Sequence, residues 1–284
     1  TISEAWLDRV QEVLDYAVDD DMYVILNIHH DTDKEYCYPD KEHLEQSLSY
    51  MTFIWEQLAD RFGDYDEHVI FESINEPRLV ETDHEWWLDM NAAECVEAVE
   101  CINEWNQNFV DVVRKTGGNN ATRYLMVPGY DASADGVLND KFVLPTDTAE
   151  NEGKILVSVH AYIPYHFALQ AATENESIDQ FNASEKTSTN DIDQMMEKLY
   201  AKYISNEIPV VIGEFGARDK NGNLQSRVDY AAYYIAAARA YGMSCNWWDN
   251  NAFTGDGELF GLLDRKTVTW RYPKIVDALM KYAE

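Results

Sequence analysis

Two glutamates, each closing an apolar run, carry the most definite chemistry this chain offers. Glu76 stands in Val69-Ile-Phe-Glu-Ser-Ile-Asn-Glu-Pro77, and Glu214 in Ile208-Pro-Val-Val-Ile-Gly-Glu-Phe-Gly216. Each reads as a carboxylate delivered to the carboxyl end of a buried parallel strand, where barrel enzymes place their reacting groups. Two such carboxylates facing one another can divide acid/base and nucleophile duties on a glycosidic bond. Pro77 takes the backbone out of sheet pairing just where Glu76 must project. Gly213 and Gly216 flank Glu214 closely and let backbone or ligand approach. Taken singly, either glutamate reads equally well as a helix cap or a surface charge at a strand end. Their joint occurrence in these settings is what points to a site.

The elements that must position them follow from periodicity. Short β-rich runs cover Tyr23 to His29, Val69 to Asn75, Tyr124 to Pro128, Ile155 to His160, Val210 to Glu214 and Ser244 to Trp248. Between them lie amphipathic stretches. Trp6, Val10, Val13, Leu14 and Ala17 make one helical face, and others span Leu48 to Phe62, Cys101 to Val113, Met195 to Tyr203 and Val228 to Ala240. Apolar strands alternating with helices predict an α/β fold with a parallel sheet covered on both sides. A (β/α)8 TIM barrel is favoured over a doubly wound sheet, because residues with functional chemistry end nearly every strand. Six strands can be counted where a barrel needs eight. The chain opens on a helix at Ser3 to Val18, and Arg271 to Met280 reads as a closing helix with Pro273 in its first turn. The first two strands are therefore expected to be absent from this chain, and a six-stranded open sheet with two unpaired edges is the competing arrangement.

Other side chains gather at the same strand ends. On barrel numbering His29 ends the third strand and His160 the sixth, with Tyr162 two residues on, so period-two alternation sends His160 and Tyr162 to one side. By the same alternation His29 and His30 diverge. That divergence, with no helix-borne HExxH, argues against a metal site. Two histidines and a tyrosine at one rim suit a hydrogen-bonding ring around a substrate. Trp247 and Trp248 end the eighth strand; one is expected to floor a sugar subsite and the other to pack against helices. Asp249-Asn250-Asn251 reads equally as a turn or as a set of hydroxyl ligands. Two long insertions, residues 78 to 100 and 163 to 190, carry Trp86 and Trp87 in the first and Tyr165, His166 and Phe167 at the start of the second. Such aromatic rings suit sugar faces, although they also serve simple packing.

Composition narrows the partners. The 284 residues, 46% of them hydrophobic, are enough for one sizeable α/β domain over 1 to 284. Against 52 acidic residues stand 22 basic ones, a formal charge of -30, which repels nucleic-acid phosphates and anionic membranes. A neutral or cationic ligand is expected, with no nucleic acid and no membrane as partner. No stretch is apolar for long enough to span a bilayer, and residues 1 to 15 hold no signal-peptide core. Cys37, Cys95, Cys101 and Cys245 have neither CxxC spacing nor a zinc-like set of histidines. Cys95 and Cys101 can pair if their segment is irregular; on a continuous helix they lie too far apart.

Together these words resemble the catalytic domain of glycoside hydrolase family 5, most closely its subfamily 4 of bacterial endoglucanases. The resemblance rests on Asn27-Ile-His-His-Asp31, Ile74-Asn-Glu-Pro-Arg78, Val127-Pro-Gly-Tyr130, Val159-His-Ala-Tyr162, Ile212-Gly-Glu-Phe-Gly216 and Trp247-Trp-Asp-Asn250, in the family's order along residues 1 to 284. It implies a retaining endo-β-1,4-glucanase acting by double displacement on cellulose-like glucan, and also on mixed-linkage glucan, xyloglucan or xylan. Glu76 would be the acid/base and Glu214 the nucleophile, with carboxyl groups roughly 5 to 5.5 Å apart. The charge of Glu214 would hold the Glu76 pKa up until the covalent intermediate consumes it. His29, Asn75, His160, Tyr162 and Trp248 would bind substrate, Asn75 at the 2-hydroxyl and Tyr162 at the nucleophile. No cofactor is implied. The expected protein is a monomer whose partner is a β-glucan polysaccharide or oligosaccharide, and a polymeric substrate implies secretion. One departure stands out: the family's second-strand arginine behind the nucleophile has no counterpart here, since Arg78 and Arg218 both fall in loops. Two other classes compete, a sugar-binding barrel fragment without turnover and an unrelated barrel enzyme of phosphorylated metabolites. Against the latter stand the acidic charge and the lack of a glycine-rich phosphate loop.

Overall fold

The computed structural model describes residues 1–255 and 257–283, which fall into two compact units, Thr1–Ser158 and Val159–Glu284. The first unit opens on α1 (Glu4–Asp19), followed by β1 (Val24–Asn27), α2 (Leu44–Arg61), β2 (Val69–Glu72), α3 (Ala93–Lys115), β3 (Leu125–Pro128) and the short α4 (Ala134–Leu138). It ends within β4 (Ile155–His160). The second holds α5 (Tyr165–Ala168), α6 (Lys186–Lys202), β5 (Val210–Phe215), α7 (Leu224–Ala240), β6 (Ser244–Trp247), a small antiparallel pair β7 (Leu263–Asp264) and β8 (Thr269–Trp270), and α8 (Pro273–Ala283). The main sheet orders its strands β1-β2-β3-β4-β5-β6, and its registered pairs are parallel. Six consecutive βα units of a (β/α)8 barrel have this order, and no strand precedes α1 among the described residues. The predicted fold class stands, as an incomplete barrel.

In the first unit the apolar faces of α2 and α3 meet over β2. All four residues of β2 are buried, as expected of a strand covered on both faces. Trp55 of α2 lies 5.3 Å from Phe71 of β2 and 4.6 Å from Phe109 of α3, measured between ring centroids. Each such ring contributes about 1.5–3 kcal/mol through burial. Polar groups then fix the strand end: Trp55 Nε1 donates to the Ser73 carbonyl at 2.9 Å, Ser73 Oγ donates to Asn106 Oδ1 at 2.7 Å, and Asn106 Nδ2 donates to the Pro128 carbonyl at 2.9 Å. A buried strand end with its polar atoms satisfied is rigid, and it carries the residues that follow.

In the second unit Phe215 of β5 stacks on Tyr234 of α7, centroids 4.4 Å apart, with Tyr230 and Trp247 completing the aromatic layer. Ala231 of α7 packs with Leu262, Ile275 and Ala278, which seats α8. Between β5 and β6 the pairing passes from Ile212↔Cys245 to Phe215↔Trp247, so β5 holds one more residue than its partner. This bulge falls at Gly213-Glu214 and re-aims the glutamate.

Several boundaries differ from the sequence reading. α3 is continuous from Ala93, so the first insertion ends at Ala92, eight residues before the expected limit. Cys95 and Cys101 both lie on that helix as free thiols, which removes the possible disulfide. β1 ends at Asn27, before the histidines, so strand alternation does not govern them. His29 and His30 do not diverge; their rings meet edge to face with centroids 4.5 Å apart.

Candidate active site

The first unit presents Asn75 and Glu76 on backbone that has left the ladder but remains tied to both neighbouring strands. The Ser73 amide donates to the Met126 carbonyl at 3.0 Å and the Asn75 amide to the Ile28 carbonyl at 2.9 Å. Asn75 is 5% exposed. Beyond Pro77, Arg78 doubles back. Its Nη1 donates to the Glu76 carbonyl at 2.9 Å and lies 3.8 Å from Glu76 Oε2, while its Nε reaches Glu85 at 3.4 Å. Trp86, half exposed, covers the Arg78 guanidinium at 4.0 Å. Trp87 is exposed as well. The loop bearing both tryptophans hangs on Tyr130, whose hydroxyl donates to the His84 carbonyl at 2.6 Å and accepts from the Leu79 amide at 3.0 Å. Tyr130 can approach because Gly129 and Gly136 touch: a Cβ on Gly129 would stand 2.5 Å from the Gly136 carbonyl. The Val127-Pro-Gly-Tyr130 motif thus supports the loop after β2. His29, two residues past β1, is half-buried.

The second unit presents Glu214, 9% exposed, at the bulge of β5. Tyr162 donates its hydroxyl to Glu214 Oε2 at 2.6 Å, and His160 Nδ1 lies 3.7 Å from the same oxygen. The backbone holds the register, since the Ala161 amide donates to the Glu214 carbonyl at 2.9 Å. The two-residue spacing from His160 to Tyr162 therefore brings both to one carboxylate. Tyr162 rests against Phe260, with centroids 5.2 Å apart, and Gly216 leaves room for that ring, since a Cβ there would lie 3.0 Å from it. A short hydrogen bond from a phenol to a carboxylate is charge-assisted and fixes which lone pair remains for chemistry.

Trp247 is the last residue of β6. Trp247 packs on Phe215 and Tyr230 and donates from Nε1 to the Phe260 carbonyl at 3.1 Å. Trp248 follows β6, half-buried, with its amide donating to the Phe215 carbonyl at 2.9 Å. Asp249 accepts from the amides of Leu262 and Leu263, Asn250 donates to the Glu258 carbonyl, and Asn251 accepts from the Arg265 amide. These bonds tie the run to the segment from Glu258 to Arg265. The insertion after β4 is anchored from below by Lys220, whose buried ammonium donates to the His166 and Ile178 carbonyls and to Ser177 Oγ at 2.7–3.2 Å. Burial pulls its pKa down to about 8.

One residue near the site escaped the sequence reading. Glu72 is 2% exposed within β2 and accepts from Asn27 Nδ2 at 2.8 Å and from Ser158 Oγ at 2.5 Å. The signal for it was a single acid in an otherwise apolar buried strand. By contrast, the groove of about 650 Å³ lined by Leu44, Leu48, Thr52 and Phe53 runs along the outer face of α2.

Residues 1–254 match the family Cellulase (glycosyl hydrolase family 5). The chain is 42% identical over 284 residues to Endoglucanase B of Ruminococcus albus, covering all of this chain and 64% of that protein. It is 42% identical over 281 residues to Endoglucanase B of Neocallimastix patriciarum, covering 99% of this chain and 55% of that protein. Less than two thirds of either relative's length is therefore spanned. Among solved structures, a family 5 lichenase from Caldicellulosiruptor sp. F32 is 60% identical with a TM-score of 0.98, over 100% of this chain and 76% of that one. A broad-specificity endoglucanase of subfamily 4 from Ruminococcus champanellensis, with bound cellotriose, is 44% identical with a TM-score of 0.88, over 99% of this chain and 76% of that one.

Proposed function

Because the chain belongs to glycosyl hydrolase family 5, we propose that it carries the catalytic residues of a retaining endo-β-1,4-glucanase, acting on cellulose-like and mixed-linkage β-glucans outside the cell. The observation that carries this reading is the Glu214 carboxylate at the carboxyl end of β5, held by the Tyr162 hydroxyl beside His160. Similarity to a lichenase and to a broad-specificity endoglucanase supports glucan as the substrate class. A net charge of -30 is compatible with an uncharged polymer.

In the proposed reaction Glu214 attacks the anomeric carbon while Glu76, protonated, gives its proton to the departing glycosidic oxygen. The C–O bond to the leaving sugar breaks as the ester to Glu214 forms. Glu76, now a carboxylate, takes a proton from water, which displaces Glu214 and restores the β-configuration. Tyr162 aims the nucleophile, and Asn75 holds the sugar next to Glu76. His29, His160 and Trp248 complete the sugar contacts of this scheme.

The test is release of reducing ends from carboxymethyl-cellulose, barley β-glucan, xyloglucan and xylan, beside Glu214→Gln and Glu76→Gln. Hydrolysis is expected on the first two polymers and roughly 10^4-fold or greater loss in Glu214→Gln. Proton NMR of the first product should show the β-anomer. An α-anomer, or a Glu214→Gln protein as active as the parent, overturns the assignment; binding without hydrolysis in the parent identifies the non-catalytic alternative.

A further inference from the structure

Glu72 is an acid where the fold would accept an apolar side chain. It sits in β2, 2% exposed, four residues before Glu76. In the parallel register it is the direct partner of Asn27 on β1. Its two oxygens are divided: Oε1 accepts from Ser158 Oγ at 2.5 Å, and Oε2 accepts from Asn27 Nδ2 at 2.8 Å. With both oxygens acting as acceptors, Glu72 fixes the orientation of the Asn27 amide with Nδ2 toward itself. The same Nδ2 carries a second hydrogen, and that one is directed at Asn75 Oδ1, 3.4 Å away. Asn75 is thereby fixed in turn. Its oxygen faces Asn27, and its own Nδ2 is turned away from Asn27 as a pure donor.

We propose that Glu72 is a positioning residue: through Asn27 it sets the polarity of a hydrogen-bond chain that makes Asn75 present amide N–H groups, rather than its carbonyl, to the sugar hydroxyl beside Glu76. The role rests on the glycosidase reading given above. An unrestrained asparagine can bind a hydroxyl through either end of its amide, and a site that leaves the choice open must order the group on each binding event. Glu72, accepting at both oxygens, removes that choice before substrate arrives. A glutamine in its place can offer either an acceptor or a donor to Asn27, so the chain loses its direction while the side chain keeps its shape.

The experiment compares kcat/KM on an activated aryl β-cellobioside with that on its analogue lacking the 2-hydroxyl of the sugar whose bond is cleaved. Glu72→Gln is expected to lower the value on the parent substrate about 10–100-fold, by loss of a contact that tightens in the transition state, and on the deoxy analogue less than about threefold. Asn75→Ala should show the same split, and adding Glu72→Gln to it should cost almost nothing more, as for residues acting as one unit. Equal losses on the two substrates, or full additivity with Asn75→Ala, overturn the proposal and leave Glu72 a structural group. Circular dichroism establishes that each variant is folded. Should Glu72→Gln fail to fold, Asn27→Ala carries the same comparison, because it cuts the chain while Ser158 still holds the carboxylate. A parent protein inert toward both glycosides overturns the glycosidase reading itself, a result distinct from a variant that loses both substrates equally.

Discussion

Tyr162 and His160 converge on one oxygen of Glu214, but only the tyrosine makes a short hydrogen bond to it, at 2.6 Å against 3.7 Å for the histidine. Tyr162→Phe deletes one charge-assisted bond and leaves the ring in place against Phe260. Such a bond is worth about 1.5–3 kcal/mol, so kcat should fall roughly 10- to 100-fold with little change in KM, as steady-state kinetics on an aryl cellobioside would read. A rise in KM with kcat unchanged would place Tyr162 on substrate rather than on the nucleophile. Away from the site, Asp147 accepts from Arg114 at 2.8 Å with both side chains largely buried. Burial pushes its carboxyl up, but the hydrogen bonds from Arg114, Asn151 and the Thr148 amide outweigh this and hold its pKa below the ordinary value. A lowered folded pKa contributes stability that is present above the unfolded pKa and lost as pH falls through the folded one. Asp147→Asn should therefore destabilise by about 1–3 kcal/mol at neutral pH, with the gap to the parent narrowing in urea titrations below about pH 4. A gap that stays constant down to about pH 2 would show that the ion pair is not its source.

The elements are pinned to one another by a few buried polar side chains. Arg123, just before β3, is 2% exposed and donates to the carbonyls of Tyr65, Asp66 and Val69 at 2.6–2.9 Å and to Asn120 Oδ1 at 2.7 Å. It gathers the end of α2 and the start of β2, and it also neutralises the carbonyl end of that helix. Burial lowers its pKa to about 10, which leaves it charged at neutral pH. Arg123→Met strands those carbonyls, and the expected cost is about 3 kcal/mol, a fall of roughly 5 °C in Tm by calorimetry. At the other end of the chain Lys220 ties down the segment that follows α5, whose stretch from Ala172 to Glu176 is exposed. Lys220→Met should open that stretch to limited proteolysis while leaving far-UV circular dichroism unchanged. Equal cleavage in parent and variant would mean that the segment is held by its other contacts, such as Gln170 to the Asn175 carbonyl.

Across the whole molecule, 52 acidic side chains against 22 basic ones repel one another at long range. Salt screens this repulsion over roughly 10 Å at 0.1 M, so Tm should rise as sodium chloride goes from about 0.01 to 0.5 M. Hydrolysis of an uncharged glucan should change little over the same range, whereas carboxymethyl-cellulose, being anionic, should be cleaved faster as salt is raised. A glucan rate as salt-sensitive as the carboxymethyl-cellulose rate would show that charge acts on the site rather than on the encounter.

Much of this was written locally in the chain. Six strands and the long helices between them follow from apolar runs and 3.6-residue periodicity, because burial of one face needs only neighbours in sequence to announce it. Glu76 and Glu214 stood out in the sequence for a related reason: a proline or a pair of glycines beside an acid at or just past a strand end is a local backbone statement. Strand alternation foretold that His160 and Tyr162 share a side, and it failed for His29 and His30 because β1 stops at Asn27. What remained hidden is non-local. The bulge that aims Glu214 depends on the register of β5 against β6, and the hydrogen bonds of Asp249 on amides 13 and 14 residues away. The partners of Glu72 come from residues 45 positions before it and 86 after it. Sequence determined which residues could do chemistry and which strands carry them. Only the tertiary structure decided which hydrogen-bond donors reach each carboxylate, since that is fixed by packing between segments whose spacing along the chain carries no trace of it.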